Sequence, residues 1–304
     1  MIMCAFRKSV IFFCYVFFFH FCILSYGQSS KNDTLTHAVI LQSIVPMYSN
    51  PDDSNELYDE LLFGETCSIL EKEANWYYVM SDATGTKGWI NIQENNFISS
   101  PDYASCLECI QSKDYAMVKP PMAYATNLKT KQRIPLTAGT KLLHYEHGEF
   151  EVLGNRFFID SSMVLPYPLE MNRENLLSVV EPLLNVPYVW GGRNIFGMDC
   201  SGLTQIVYSY FGCKLPRNSR SQSKLGEDIP SLEESKAGDL VFFDHYDNRI
   251  SHVGILLDGY NVVHCGGPTR SEGCVNITKI DSTGIYKGEK CVYHLVAIRR
   301  YNFE

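Results

Sequence analysis

The sequence predicts an α+β chain: small β modules come first, then a C-terminal domain that runs helices before strands. Three observations carry this. Short strand candidates separated by polar clusters fill most of the chain from residue 28 to residue 167. Pro166-Tyr167-Pro168 then breaks the pattern. Beyond it, helical spacing around Asn172 and after Cys200 gives way to sequential strand candidates between Gly238 and Ile298.

Taken in order, residues 1–27 read as a secretory signal. Arg7 and Lys8 are its positive region, Val10 to Leu24 its apolar run and Ser25-Tyr26-Gly27 a small-residue exit. The run is short for a spanning helix, so no stable membrane insertion is expected after cleavage, and the protein is read as exported to the periplasm or the extracellular space. The hydrophobic share of 45% is that of a globular protein. The net charge of −8 argues against nucleic acid as a partner. Of 11 cysteines, Cys67, Cys106, Cys109, Cys200, Cys213, Cys265, Cys274 and Cys291 lie beyond the signal. Some could pair in an oxidising compartment. Cys106 and Cys109 have redox-motif spacing but lack a thioredoxin-like context or a second pair for zinc.

Residues 28–100 read as one small barrel. Its strand candidates are Val39-Ile40-Leu41, Cys67 to Leu70, Trp76 to Met80 and Gly88 to Ile92. Residues 101–168 read as a second, divergent copy. Its candidates are Met117-Val118, Tyr124-Ala125, Lys141 to Tyr145, Phe150 to Leu153 and Arg156 to Ile159. From 169 a helix capped by Asn172 is expected, broken or kinked at Pro182.

The chemistry gathers in the stretch from Pro187 to Leu203, an aromatic, Gly-rich loop ending in Asp199-Cys200-Ser201-Gly202. Leu203, Ile206, Val207, Tyr210 and Phe211 follow at helical spacing, and Gly212 stops the helix. Cys200 thus sits at a helix N-terminus, where the dipole favours a thiolate. A buried structural cysteine is the alternative. A nucleophilic cysteine needs a base, and the base needs an orienting group. His252 lies in the strand candidate Ser251 to Ile255, and His264 follows across a turn near Asp258-Gly259-Tyr260. A tight Asp258-Gly259 loop would set His252 opposite Cys265 and turn His264 to the other face. A three-residue loop or a bulge sets His264 opposite Gly254, on the face of His252. Cys200, His252, His264 and Cys265 could in principle hold zinc, but no short ligand pair nucleates a site, so neither metal nor cofactor is expected.

Six blocks in order then resemble the NlpC/p60-like cell-wall cysteine peptidases. They are Pro187-Tyr188-x-Trp190-Gly191-Gly192, Asp199-Cys200-Ser201-Gly202, Leu215-Pro216-Arg217-Asn218-Ser219-x-x-Gln222, Ala237 to Phe243, Ser251 to Ile255, and His264. Leu62 to Glu65, Asn75-Trp76 and Gly88-Trp89-Ile90 resemble the bacterial SH3-like barrels attached to such enzymes. The resemblance implies a papain-like peptidase domain over 169–304 behind two SH3-like β-barrels. It implies hydrolysis of the γ-D-glutamyl–diamino acid bond of peptidoglycan peptides, with Cys200 as nucleophile, His252 as base, His264 as the orienting member and Tyr188 beside the oxyanion.

In the branch with this layout, substrates carry a free N-terminal L-Ala. There Asp199, Ser201 and Ser219 would contact the amine end, Trp190 would line the pocket and Glu56 would be the acid from the first barrel. A helix N-cap role for Asp199 and core packing for Tyr188 and Trp190 are the plainer readings. Where the family places an aromatic before Gly88-Trp89, this chain has Thr86-Lys87. That departure bears on the free-amine preference. The partners expected are peptidoglycan-derived peptides, acted on by a monomer. The competing readings are a cell-wall-binding module with little or no activity and an acyl transferase on the same architecture.

Overall fold

The computed structural model describes residues 36–93, 96–245, 249–266 and 273–302. The expected signal over 1–27 lies outside them. Among the described residues no helix is long and apolar enough to cross a membrane.

The first module is a seven-stranded antiparallel sheet. Its order is Leu57–Leu62, Ile44–Tyr48, Lys87–Ile90, Trp76–Ser81, Thr66–Glu73, Thr36–Val39 and Phe97–Ile98. The sequence reading anticipates the strands around Cys67, Trp76 and Gly88. It gives no strand for Ile44–Tyr48, which carries Pro46, or for Leu57–Leu62, whose Asp59 and Glu60 are buried.

A helix, Ser100–Gln111, stands where the second copy was expected to begin. The Ser99 side chain accepts the Asp102 N–H and Pro101 lies in the first turn, so the cap signals are local. Cys106 and Cys109 are buried on this helix. Two small antiparallel sheets follow. One orders Arg133–Thr137, Met122–Asn127, Asn155–Phe158 and Glu149–Val152; the other orders Lys141–Leu143, Tyr115–Val118 and Val164–Leu165.

The C-terminal region begins as expected. Asn172 caps the helix Arg173–Val180 by accepting the Asn175 N–H, and a 3-10 turn over Glu181–Leu183 carries Pro182. The helix Cys200–Ser209 packs on the strands His252–Asp258 and Asn261–Gly266. It is buried on every side from Cys200 to Tyr208, not on one stripe. Its polar Thr204 and Gln205 are spent inward, on Gln222 Oε1 and on the Leu215 carbonyl. The sheet behind it orders Glu227–Asp228, Lys290–Arg300, Leu240–Asp244, His252–Asp258, Asn261–Gly266 and Cys274–Lys279, all antiparallel. One apolar cluster joins Leu62, Tyr115, Met117 and Leu143 of the β modules to Ile206 and Val207 of the helix and Phe211 just beyond it. The modules therefore share a core.

The register between the two histidine strands sets Gly254 opposite His264. A bulge between Leu256 and Asp258, ahead of the loop Gly259-Tyr260, supplies the extra residue. His252 and His264 thereby share a face.

Candidate active site

The candidate nucleophile, Cys200, is placed by its own cap. Asp199 has extended backbone, and its Oδ1 accepts the Gly202 N–H at 2.7 Å, so the helix starts at Cys200. Cys200 is 5% exposed. The backbone N–H groups of Val253, next to His252, and of Ser201 favour its thiolate. Burial and the Asp199 charge nevertheless push the thiol up to about 12. This corrects the expectation that the helix N-terminus makes a resting thiolate: desolvation outweighs the dipole.

The candidate base sits on a strand that the Cys200 helix packs against. His252 Nε2 and His264 Nδ1 are 2.9 Å apart, both rings buried. Burial pulls both pKa values down, His252 further because of the His264 and His245 charges, and His264 to about 4. Both rings are neutral near pH 7. With Nε2 committed to His264, Nδ1 is the His252 nitrogen left to face the thiol. Tyr293 stacks on His252 with ring centroids 4.1 Å apart and 18° between planes. Gly266 is required here: a Cβ would stand 2.9 Å from His252 Cε1 and 2.7 Å from the Tyr293 hydroxyl.

Beside Cys200 a cleft of about 480 Å³ opens. Tyr188, Trp190, Asp199, Ser201 and Ser219 all line it. Trp190 is 43% exposed, so it is no core residue. Glu56 is exposed and is not among the lining residues; Tyr58 lines the cleft from the same barrel, with Thr84, Gly85 and Thr86. The barrel thus contributes an aromatic ring from a strand that the sequence reading missed.

Beneath the cleft runs a buried ionic seam. Arg217 donates Nη1 and Nη2 to the two Asp199 oxygens at 3.0 and 2.8 Å and Nε to Asp59 of the barrel at 3.0 Å. Arg193 pairs with Asp59 at 3.2 Å and with Glu65, while its backbone N–H and the Asn194 amide both donate to Glu60 Oε2 at 2.7 Å. Burial raises the Glu60 pKa. Asp199 also accepts from the Gly191 N–H and the Ser201 hydroxyl, each at 3.0 Å. Its oxygens are therefore fully occupied. Gly191 has φ +78°, and a Cβ there would lie 2.2 Å from the Leu57 carbonyl, so only glycine lets barrel and loop meet this closely. Sequence reasoning quoted Arg217 within a motif without giving it a role, and it missed Asp59, Tyr58 and Tyr293 altogether. Their partners are distant in sequence, and no local pattern marks them.

The eight cysteines from Cys67 to Cys291 are all unpaired. Among the described residues one group of metal-ligating side chains, Cys109, Asp114 and His144, has its ligand atoms within 4.8 Å of one another. The 2.9 Å His144–Asp114 pair accounts for two of the three.

A buried cysteine at a helix start beside a barrel-walled cleft, with two paired histidines on the neighbouring strands, is the arrangement to compare with known proteins. Residues 185–292 match the NlpC/P60 family and residues 47–94 the bacterial dipeptidyl-peptidase SH3 domain. The chain carries an NlpC/P60 domain behind a bacterial SH3 domain. It is 27% identical over 260 residues to the γ-D-glutamyl-L-lysine dipeptidyl-peptidase of Bacillus subtilis, covering 81% of each chain. It is 26% identical to dipeptidyl-peptidase 6 of Lysinibacillus sphaericus, covering 81% of this chain and 92% of that one. A crystal structure of an NlpC/P60 family protein from Bacillus cereus superposes with a TM-score of 0.71 at 20% identity, over 87% of this chain and 99% of that one.

Proposed function

We propose that this chain is an exported cysteine peptidase that cuts the bond between γ-D-glutamate and a diamino acid in peptidoglycan peptides. The observation that supports it most is the buried Cys200, which lines a cleft walled by the barrel, together with the buried, paired His252 and His264 on the strands its helix packs against. We read the C-terminal region as papain-like and residues 36–165 as two SH3-like barrels. His252 Nδ1 takes the Cys200 proton, and the thiolate attacks the γ-carbonyl of D-glutamate. The Cys200 N–H and the Tyr188 hydroxyl meet the oxyanion. His252 returns the proton to the leaving amine, and water then releases the dipeptide from the thioester.

The amine end lies on the Ser201, Ser219 and Tyr58 side of the cleft. Because Asp199 is filled by Arg217, its carboxylate acts chiefly as charge and as scaffold. The buried seam sets the carboxyls of Asp59, Glu60, Glu65 and Asp199 against the guanidiniums of Arg193 and Arg217. That excess favours an ammonium. The test compares L-Ala-γ-D-Glu-L-Lys and its diaminopimelate counterpart with their N-acetylated forms by chromatography of products. Release of L-Ala-D-Glu from the free-amine peptides, with kcat/KM at least about tenfold lower after acetylation, is expected. Equal cleavage of both forms would remove the amine preference, and cleavage of neither would leave a wall-binding module.

A further inference from the structure

Beyond His264 the polar chain continues. His264 Nε2 lies 3.3 Å from Thr278 Oγ1. The Thr278 hydroxyl donates to Asn276 Oδ1 at 2.6 Å, and Asn276 Nδ2 donates to the Gly266 and Cys274 carbonyls at 3.0 and 2.9 Å. Two carbonyls can only accept, so they fix which way the Asn276 amide faces. Its Oδ1 then takes the Thr278 proton and leaves a Thr278 lone pair for His264 Nε2–H. That puts the bare nitrogen of His264 at Nδ1, where it accepts from His252 Nε2–H at 2.9 Å. The bare nitrogen of His252 is then Nδ1. Each neutral ring carries one hydrogen, so one fixed amide decides both tautomers.

We propose that Asn276 and Thr278 are positioning residues that set the tautomer of both histidines and so present a bare His252 Nδ1 to Cys200. This rests on Cys200 and His252 being nucleophile and base. The test therefore has two readouts. One is the rate of Cys200 alkylation by iodoacetamide, followed by peptide mass spectrometry; the other is peptide cleavage. Thr278→Val should lower both Cys200 alkylation and kcat by roughly ten- to a hundredfold with KM held, and Thr278→Ser should restore them at unchanged Tm. Parent-like alkylation in Thr278→Val, or a Thr278→Ser as impaired as the valine variant, would overturn it. If Thr278→Val does not fold, Thr278→Ala against Thr278→Ser decides on the same criteria. An alkylation response in a protein that cleaves no peptide would leave this inference standing while the proposed function failed.

A different observation stands apart from the cleft. Behind the nucleophile helix is a cavity of about 280 Å³, with apolar walls from Leu107, Ile110, Tyr115, Leu143 and Ile206. Gln205 lines it, 7% exposed; its Nε2 is spent on the Leu215 carbonyl, and its buried Oε1 has no partner. Lys141 lines it too. Its ammonium sits 5.3 Å from the Tyr115 ring centroid and makes no hydrogen bond or ion pair with the described residues. Glu65, which attracts it, is held by Arg193.

A bare acceptor and a cation without an ion pair, in a chamber with apolar walls whose lining also carries Asp82, Lys113 and Lys214, suit a ligand with a donor, a carboxylate and an apolar body. We infer that this cavity binds a small N-acylated amino acid. Calorimetry on the full chain would compare N-acetyl-L-leucine with uncharged N-acetyl-L-leucinamide, on the parent and on Lys141→Met. Binding of the acid alone, weakened at least about tenfold in Lys141→Met, is expected. No binding at about 10 mM, equal binding of the amide, or full retention in Lys141→Met would overturn it.

Discussion

At the scale of single residues, the site is governed by desolvation. Cys200 rests as a thiol and His252 as a neutral imidazole because both are buried. Proton transfer must therefore happen within the pair as substrate reacts. On the proposed mechanism turnover needs neutral His252, whose pKa lies well below 6.5. The expected kcat/KM profile stays flat as pH falls through 6.5 and drops only below it; an acid limb centred at or above 6.5 would contradict this. The same burial links pH to stability. The unfolded rings titrate near 6.5, and folded His264 titrates at about 4. The stability of the neutral rings is thus full above 6.5 and is lost as pH falls toward 4. A smaller Tm loss between pH 7 and 4.5 in His264→Gln than in the parent is expected from calorimetry. Gly266→Ala drives a Cβ into His252 and the Tyr293 hydroxyl. It should cost at least about tenfold in kcat while circular dichroism stays native; unchanged kcat would refute the close packing.

At the scale of elements, what the sequence made legible was local. The Asn172 cap and the Cys200 helix follow from neighbouring residues, and the structure has both; of the two histidine-strand registers the sequence allows, it has the bulged one that a shared histidine face requires. The misses share one cause. Leu57–Leu62 carries Asp59 and Glu60, two charges that hide the strand pattern; they are buried because Arg217 and Arg193 lie against them, over 130 positions away in the chain. The same strand sends Tyr58 into the cleft, whereas Glu56, expected from the resemblance, is not among the lining residues. Removing one member of such a buried seam strands the others. Asp59→Ala should destabilise by about 3–5 kcal/mol in a denaturant titration; a loss under about 1 kcal/mol would mean that the seam is solvated.

At the scale of the whole molecule, the β modules are part of the peptidase. The shared apolar cluster, the ionic seam and the Tyr210 hydroxyl, which accepts the Gly139 N–H at 2.9 Å and donates to the Val118 carbonyl at 2.5 Å, all cross between them. Residues 169–304 expressed alone should therefore lack a cooperative thermal transition, whereas a sharp transition near the parent Tm would show an independent domain. The central claim is that Cys200 attacks the γ-glutamyl carbonyl. Its most direct test is rapid acid quenching during turnover of L-Ala-γ-D-Glu-L-Lys, followed by intact and peptide mass spectrometry. The account predicts an adduct of the dipeptide less one water on the Cys200 peptide, absent from Cys200→Ala, which also releases no product. Continued turnover by Cys200→Ala, or an adduct on another residue, would contradict it.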